Sequence, residues 1–169
     1  MSMQQHEIGA ILQQVKGTMV LFLATGVGMG IGGWALLDAV TSGSGGGIGA
    51  SLVAGLLLLS ALVAILMAGP VVGAISGVRA ELETARSLGL KSYGITGVTV
   101  LVGHIAMVVL AFFITVMGVS TGDSGGGGGG DSGDVPGVGD YLTPIVLGGL
   151  GAAFTAVAAQ YAYRALAEQ

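Results

Sequence analysis

Only two of the 169 residues are histidines, His6 and His104, and no cysteine is present. Imidazole titrates near neutral pH and can relay a proton, hold a ligand or bind a metal. A metal centre needs several ligands gathered at one place, and one histidine without thiolates does not supply them. There is likewise no Ser–His–acid set at a shared depth and no paired carboxylate for acid–base work. The sequence therefore assigns no catalytic residue, no metal ligand and no cofactor. His104 stands out because it lies inside one of four long apolar stretches that hold no Asp, Glu, Lys or Arg. Such a group is expensive in hydrocarbon and normally faces protein or water. Two roles are open to it: a proton-relay or ligand-binding residue, or a neutral side chain that joins helices by a hydrogen bond. A proton path needs further ionisable groups, and no Asp, Glu, Lys or Arg lies within the stretches.

Gly97, His104, Ala111 and Gly118 recur at seven-residue spacing, which keeps them on one helical face. That face is expected to point inward. When each apolar stretch is centred at its midpoint, Thr25, Ser60 and Thr155 fall near the depth of His104. The expectation is an intramembrane polar cluster in which the imidazole bonds to one or more of these three hydroxyls.

The elements that would position these residues follow from composition. Charged residues make up 8% of the chain, against about 25% in ordinary soluble domains. A soluble fold with 53% apolar residues would have too few charges to cover its surface. Helices rise about 1.5 Å per residue, so a hydrocarbon core of about 30 Å needs roughly 20 apolar residues. Residues 17–37, 50–70, 95–117 and 143–163 meet that length with uncharged interiors apart from His104. The expected fold is an all-α integral membrane protein, a single domain built as a four-transmembrane-helix bundle.

Orientation follows from the cations. Lys16, Arg79, Arg86, Lys91 and Arg164 all fall on one side of a four-span arrangement, and the positive-inside rule places that side in the cytoplasm. Both termini are then cytoplasmic. Trp34 and Tyr141 mark the outer interface, and Tyr93, Tyr161 and Tyr163 the inner one. The outer connections are Gly-rich, above all residues 120–140 with six consecutive glycines, and such sequence is expected to be mobile. The aspartates of that connection lack the spacing of an EF-hand. No basic cluster suits nucleic acid. Two lysines, no asparagine and acidic loops resemble in style the proteins of salt-accumulating halophilic archaea.

Between the second and third stretches, Arg79 with Glu83 and Glu83 with Arg86 form helical i,i+4 and i,i+3 pairs, and Gly89 is a C-terminal stop. The second helix is expected to continue past a Pro70 kink as a cytoplasmic amphipathic helix ending near Leu88. Within it, Glu83-Thr84-Ala85-Arg86-Ser87-Leu88-Gly89 resembles the cytoplasmic EAA loop of ABC-importer permeases. The resemblance covers about seven residues and departs from the family pattern at Thr84. It implies a helix that docks on an ATPase subunit, with Arg79, Glu83 and Arg86 as candidate docking residues.

Lipid tails are as apolar as leucine, so helices in a bilayer associate through close packing and internal hydrogen bonds. Small residues at four-residue spacing permit that approach. Ala24, Gly28 and Gly32, together with Gly26 and Gly30, mark the first stretch, and Gly69, Gly73 and Gly77 the second. Gly97 marks the third, while Gly148 with Ala152 and Gly149 with Ala153 mark the fourth. Gln160 is expected as an interfacial hydrogen-bonder. The leading expectation is a small non-enzymatic protein that acts by association. It would be a subunit of a homo- or hetero-oligomeric membrane complex, or a structural protein of a cell envelope or an enveloped archaeal virus. The alternative is a transporter or channel component, built around His104 or coupled to an ATPase through the 79–90 helix.

Overall fold

The computed structural model describes residues 3–43, 48–121 and 138–169, and these are helical almost throughout. The elements are α1 (Met3–Gly43), α2 (Ile48–Leu88), α3 (Lys91–Thr121) and α4 (Val138–Ala167). All four are long and apolar enough to cross a membrane. Most of the Gly- and Asp-rich connection expected between the last two helices, including Asp123, Asp131 and Asp134, lies outside the described residues.

Glycine ends α2 as its sequence position suggested. Gly89 adopts φ 54°, a left-handed conformation that costs a residue without Cβ little. The Ser92 N–H donates to the Gly89 carbonyl at 3.2 Å, so α3 begins within one turn. Pro70 is accommodated inside α2 and Pro144 inside α4.

Neighbouring residues define the topology. On α1 and α3, Gln14 meets Thr96, Phe22 meets Gly103, Gly26 meets Met107 and Gly33 meets Thr115. Numbers rise together, so the two helices are parallel. On α2 and α4, Gly73 meets Ala152, Gly77 meets Ala156 and Glu81 meets Gln160, again in parallel. The two pairs are antiparallel to one another, and among the described residues α1 and α4 do not touch.

The large side chains are mostly outside and the small ones inside. Leu12, Leu59, Met67, Phe112, Phe113, Leu147 and Phe154 are exposed, whereas the interior is largely Gly, Ala, Val, Ser and Thr around Phe22 and Met107. In water this would be an apolar surface far beyond what a monomeric soluble protein carries.

Glycines set the distances between helices. A Cβ built on Gly73 would lie 2.5 Å from the Ala152 carbonyl oxygen, and one on Gly77 would collide with that of Ala156. Gly26 and Gly30 play the same part on α1, where a Cβ would reach 2.9 Å from Met107 O and 2.7 Å from Ile114 Cβ. Gly28 and Gly32, the other expected packing glycines of α1, are placed differently. Both are exposed, and a Cβ on either meets nothing within 4 Å among the described residues. The two stripes of α1 are offset by two residues, about 200° around the helix, and the chain packs on one of them. Gly97 is looser than expected, since a Cβ there makes ordinary contact with Val157 at 3.5 Å.

The second stretch lies within one continuous helix, Ile48–Leu88, of which the described segment Val63–Glu83 is by itself long and apolar enough to cross a membrane. Beyond Pro70 the helix stays packed in the bundle as far as Ala80, because Val72, Gly73, Ser76, Gly77 and Ala80 are buried.

Gly77→Ala is expected to destabilise the bundle by about 1–3 kcal/mol through overpacking. Gly28→Ala should be neutral or stabilising by up to about 1 kcal/mol through helix propensity. Thermal unfolding of the two variants in mild detergent checks the contrast.

Candidate functional site

Two buried polar features lie in the interior. The first joins all four helices near the bundle end that carries the 88–91 connection. Gln14 Nε2 on α1 donates to Thr96 Oγ1 on α3 at 2.6 Å. Thr96 Oγ1 lies 2.8 Å from Ser92 O and 2.9 Å from Gln160 Oε1 on α4. A hydroxyl has one proton, so Thr96 accepts from Gln14 and donates to one of these two oxygens at a time. Gln160 Nε2 donates to Ser92 Oγ at 2.8 Å and to Glu81 Oε2 on α2 at 3.2 Å. Gln160 is fully buried, and its amide connects α4 to α2 and α3. Sequence reasoning passed over Gln14, Glu81, Ser92 and Thr96. The available signal was their placement one helical turn from charged ends, on the faces that also carry Thr99, Ser76 and Gln160.

The second feature is His104, fully buried on α3. Its slot is made by missing side chains. A Cβ on Gly69 of α2 would collide with the ring at Nδ1 and Cε1, one on Gly148 would lie 3.0 Å from Nε2, and one on Gly149 would lie 3.4 Å from Cδ2. Gly69 therefore packs as expected, with the imidazole as its partner. The expected cluster with Thr25, Ser60 and Thr155 is not formed. Thr25 Oγ1 donates to Leu21 O and Thr155 Oγ1 to Gly151 O, each at 2.8 Å within its own helix, while Ser60 is exposed. Among the described residues neither ring nitrogen of His104 has a hydrogen-bond partner, and the same holds for Ser76 Oγ.

The reason is register. His104 is level with Gly69 and with Gly148 and Gly149. Ser60 stands nine residues from Gly69, about 14 Å along the axis, and Thr155 about 10 Å from Gly148. Equating midpoints of apolar stretches fails because the packed part of α2 continues well past Pro70. The inward heptad face is partly realised: His104 and Ala111 are fully buried, Gly97 is half-buried, and the surroundings of Gly118 lie outside the described residues.

The candidate docking residues are engaged within the chain or lie outside the description. Arg79 Nε donates to Glu83 Oε1 at 2.7 Å, and its guanidinium covers Gly17 of α1, where a Cβ would lie 3.4 Å from the guanidinium carbon. An exposed pair of this kind contributes about 0.3–0.5 kcal/mol. The side chain of Arg86 lies outside the described residues. No group of three or more His, Cys, Asp or Glu suited to a metal occurs among the described residues.

Comparison with protein-family models, curated proteins and solved structures finds no match to this chain.

Gln160→Leu removes one partner from Ser92, Glu81 and Thr96 together, and leaving buried polar groups unpaired costs about 1–3 kcal/mol. Thr155→Val loses only a bond within its own helix and should shift stability by less than about 0.5 kcal/mol. Chemical or thermal unfolding of both variants in detergent measures the difference.

Proposed function

We propose that the chain is a non-enzymatic integral membrane protein that crosses a bilayer four times, with both termini cytoplasmic, and works by associating with other chains. The observation that carries association is the outward stripe of α1. Ala24, Gly28 and Gly32 are all exposed at four-residue spacing, and a Cβ on either glycine would meet nothing within 4 Å among the described residues. Beside them, Met29, Gly32, Gly33, Leu36, Ala64 and Ile65 line a shallow apolar groove of about 180 Å³ among the described residues. In a bilayer, small outward residues admit a neighbouring helix to close range. Membrane subunits and structural envelope proteins use such surfaces.

The placement and orientation rest on two supports. Large apolar side chains face outward, where hydrocarbon would solvate them. Lys16 and Arg79 lie at one level, since Gly17 meets Arg79. Arg164 faces Tyr93, close in sequence to Lys91, and Arg86 lies on α2 beyond Arg79. All five cations thus belong to one end of the bundle, and the positive-inside rule assigns that end to the cytoplasm.

His104 favours a second reading, a transporter or channel component. A histidine acting only to join helices is expected to make an interhelical bond, and here neither nitrogen has a partner among the described residues.

The mass and composition of the complex extracted in mild detergent test association, with Gly28→Leu and Gly32→Leu as the matched variants. The expected result is an assembly larger than one 16.5 kDa chain that dissociates in the variants without loss of helicity. A lone native chain overturns the reading. A co-purifying nucleotide-binding subunit would instead favour coupling through the 79–90 helix.

A further inference from the structure

The level of His104 is also where the two helices that touch it are weakest. Pro70 follows Gly69 directly and has no N–H, so the Leu66 carbonyl is left without its i+4 helical donor. Leu66 belongs to the same contact, since its side chain lies 3.2 Å from a Cβ built on Gly148. On α4, Pro144 stands one turn from Gly148, and Gly148, Gly149 and Gly151 follow within two turns. Glycine and proline in combination are the usual sites of helix bending. The slot thus combines a buried imidazole whose two nitrogens have no partner among the described residues, a nearby carbonyl deprived of its helical donor, and two flanking helices with proline and glycine at this level.

We propose that His104 is a protonation switch that sets the bend of α2 at Gly69–Pro70. A neutral imidazole has one donor and one acceptor, whereas the protonated ring has two donors and a charge. The neutral ring fills the glycine slot and lets α2 and α4 close on α3. The charged ring demands acceptors that Gly69, Gly148 and Gly149 do not offer. Bending α2 presents the Leu66 carbonyl and admits water, and water delivers the proton.

Among the described residues, no Asp, Glu, Lys or Arg stands at this level of any helix. Phe22 of α1 packs on Gly103, Leu66 of α2 lies beside Gly148, and α4 presents Gly148 and Gly149 to the ring. The nearest charges along each helix are Lys16, about 9 Å from Phe22, Arg79, about 15 Å from Gly69, and Asp140, about 12 Å from Gly148, measured along the axes. On α3 itself the nearest is Lys91, about 20 Å away.

The inference rests on the bilayer placement proposed above but not on association, so a lone chain in detergent would leave it standing. Two properties make the test clean: the chain has no cysteine, and His6→Gln leaves His104 as its sole imidazole. In that background, reconstituted in neutral lipid bilayers, ring nitrogen chemical shifts follow protonation. Spin labels at Leu59 on α2 and Phe112 on α3, both exposed, follow the bend, with Ile75 and Val98 as a second pair on the other side of Pro70. Between about pH 8 and about pH 5, the ring should take up a proton and the Leu59–Phe112 distance should change by more than about 2 Å. The second pair should move less. His104→Gln, which keeps a polar side chain of similar reach, and His104→Leu should each abolish the change. A ring that stays neutral over this range overturns the switch, as does an equal distance change in both variants.

Discussion

The seam between α2 and α4 governs the rest of the bundle. Gly73 and Gly77 let the α2 backbone lie directly on the carbonyls of Ala152 and Ala156, an approach that a single methyl group would prevent. Once those two contacts are made, the register of the parallel pair is fixed in both directions. One turn beyond Gly77, Glu81 is brought to Gln160 and the polar network closes. One turn before Gly73, Gly69 is brought level with Gly148, and the slot for His104 opens between them. An interior of small residues with large apolar side chains outside suits a solvent that is itself apolar, where burial of leucine offers no drive to association.

Polarity in the interior is distributed unequally along the axis. At one end, Gln14, Glu81, Ser92, Thr96 and Gln160 are bonded to one another across four helices. Such a network is costly when half satisfied and rigid when complete. Toward the other end the helices meet through Gly26 with Met107, Gly30 with Ala111 and Ile114, and Gly33 with Thr115. His104 stands between these zones without a partner among the described residues. With Ser76, it is a buried polar side chain left without a hydrogen-bond partner among the described residues, and of the two it is the one that titrates near neutral pH in water.

Much of the helical framework was legible in the sequence, because uncharged runs of membrane length, the Gly89 stop and the Gly69–Gly73–Gly77 stripe are local signals. The choice between the two stripes of α1 was not legible. Gly26 with Gly30 and Gly28 with Gly32 have the same spacing, and only the position of α3 decides which pair is used. Levels between helices were misread for a related reason. Hydropathy locates where charges begin, whereas the register of α2 is set by glycines that continue past Pro70, so Ser60 and Thr155 were placed beside a histidine that stands well over a turn away. The polar network escaped notice because its members sit near charged helix ends, where glutamine and serine read as interfacial.

The proposed placement sets this bundle across a bilayer with all its cations on one face. Single cysteines placed at Lys16, Arg86 and Asp38 of the otherwise cysteine-free chain, probed with a membrane-impermeant thiol reagent from each side, test it most directly. Labelling at positions 16 and 86 from the cytoplasmic side alone, and at position 38 from the opposite side alone, is the predicted result. Reaction of positions 16 and 86 from opposite sides, or a chain that remains monomeric and folded in buffer without detergent, would contradict it.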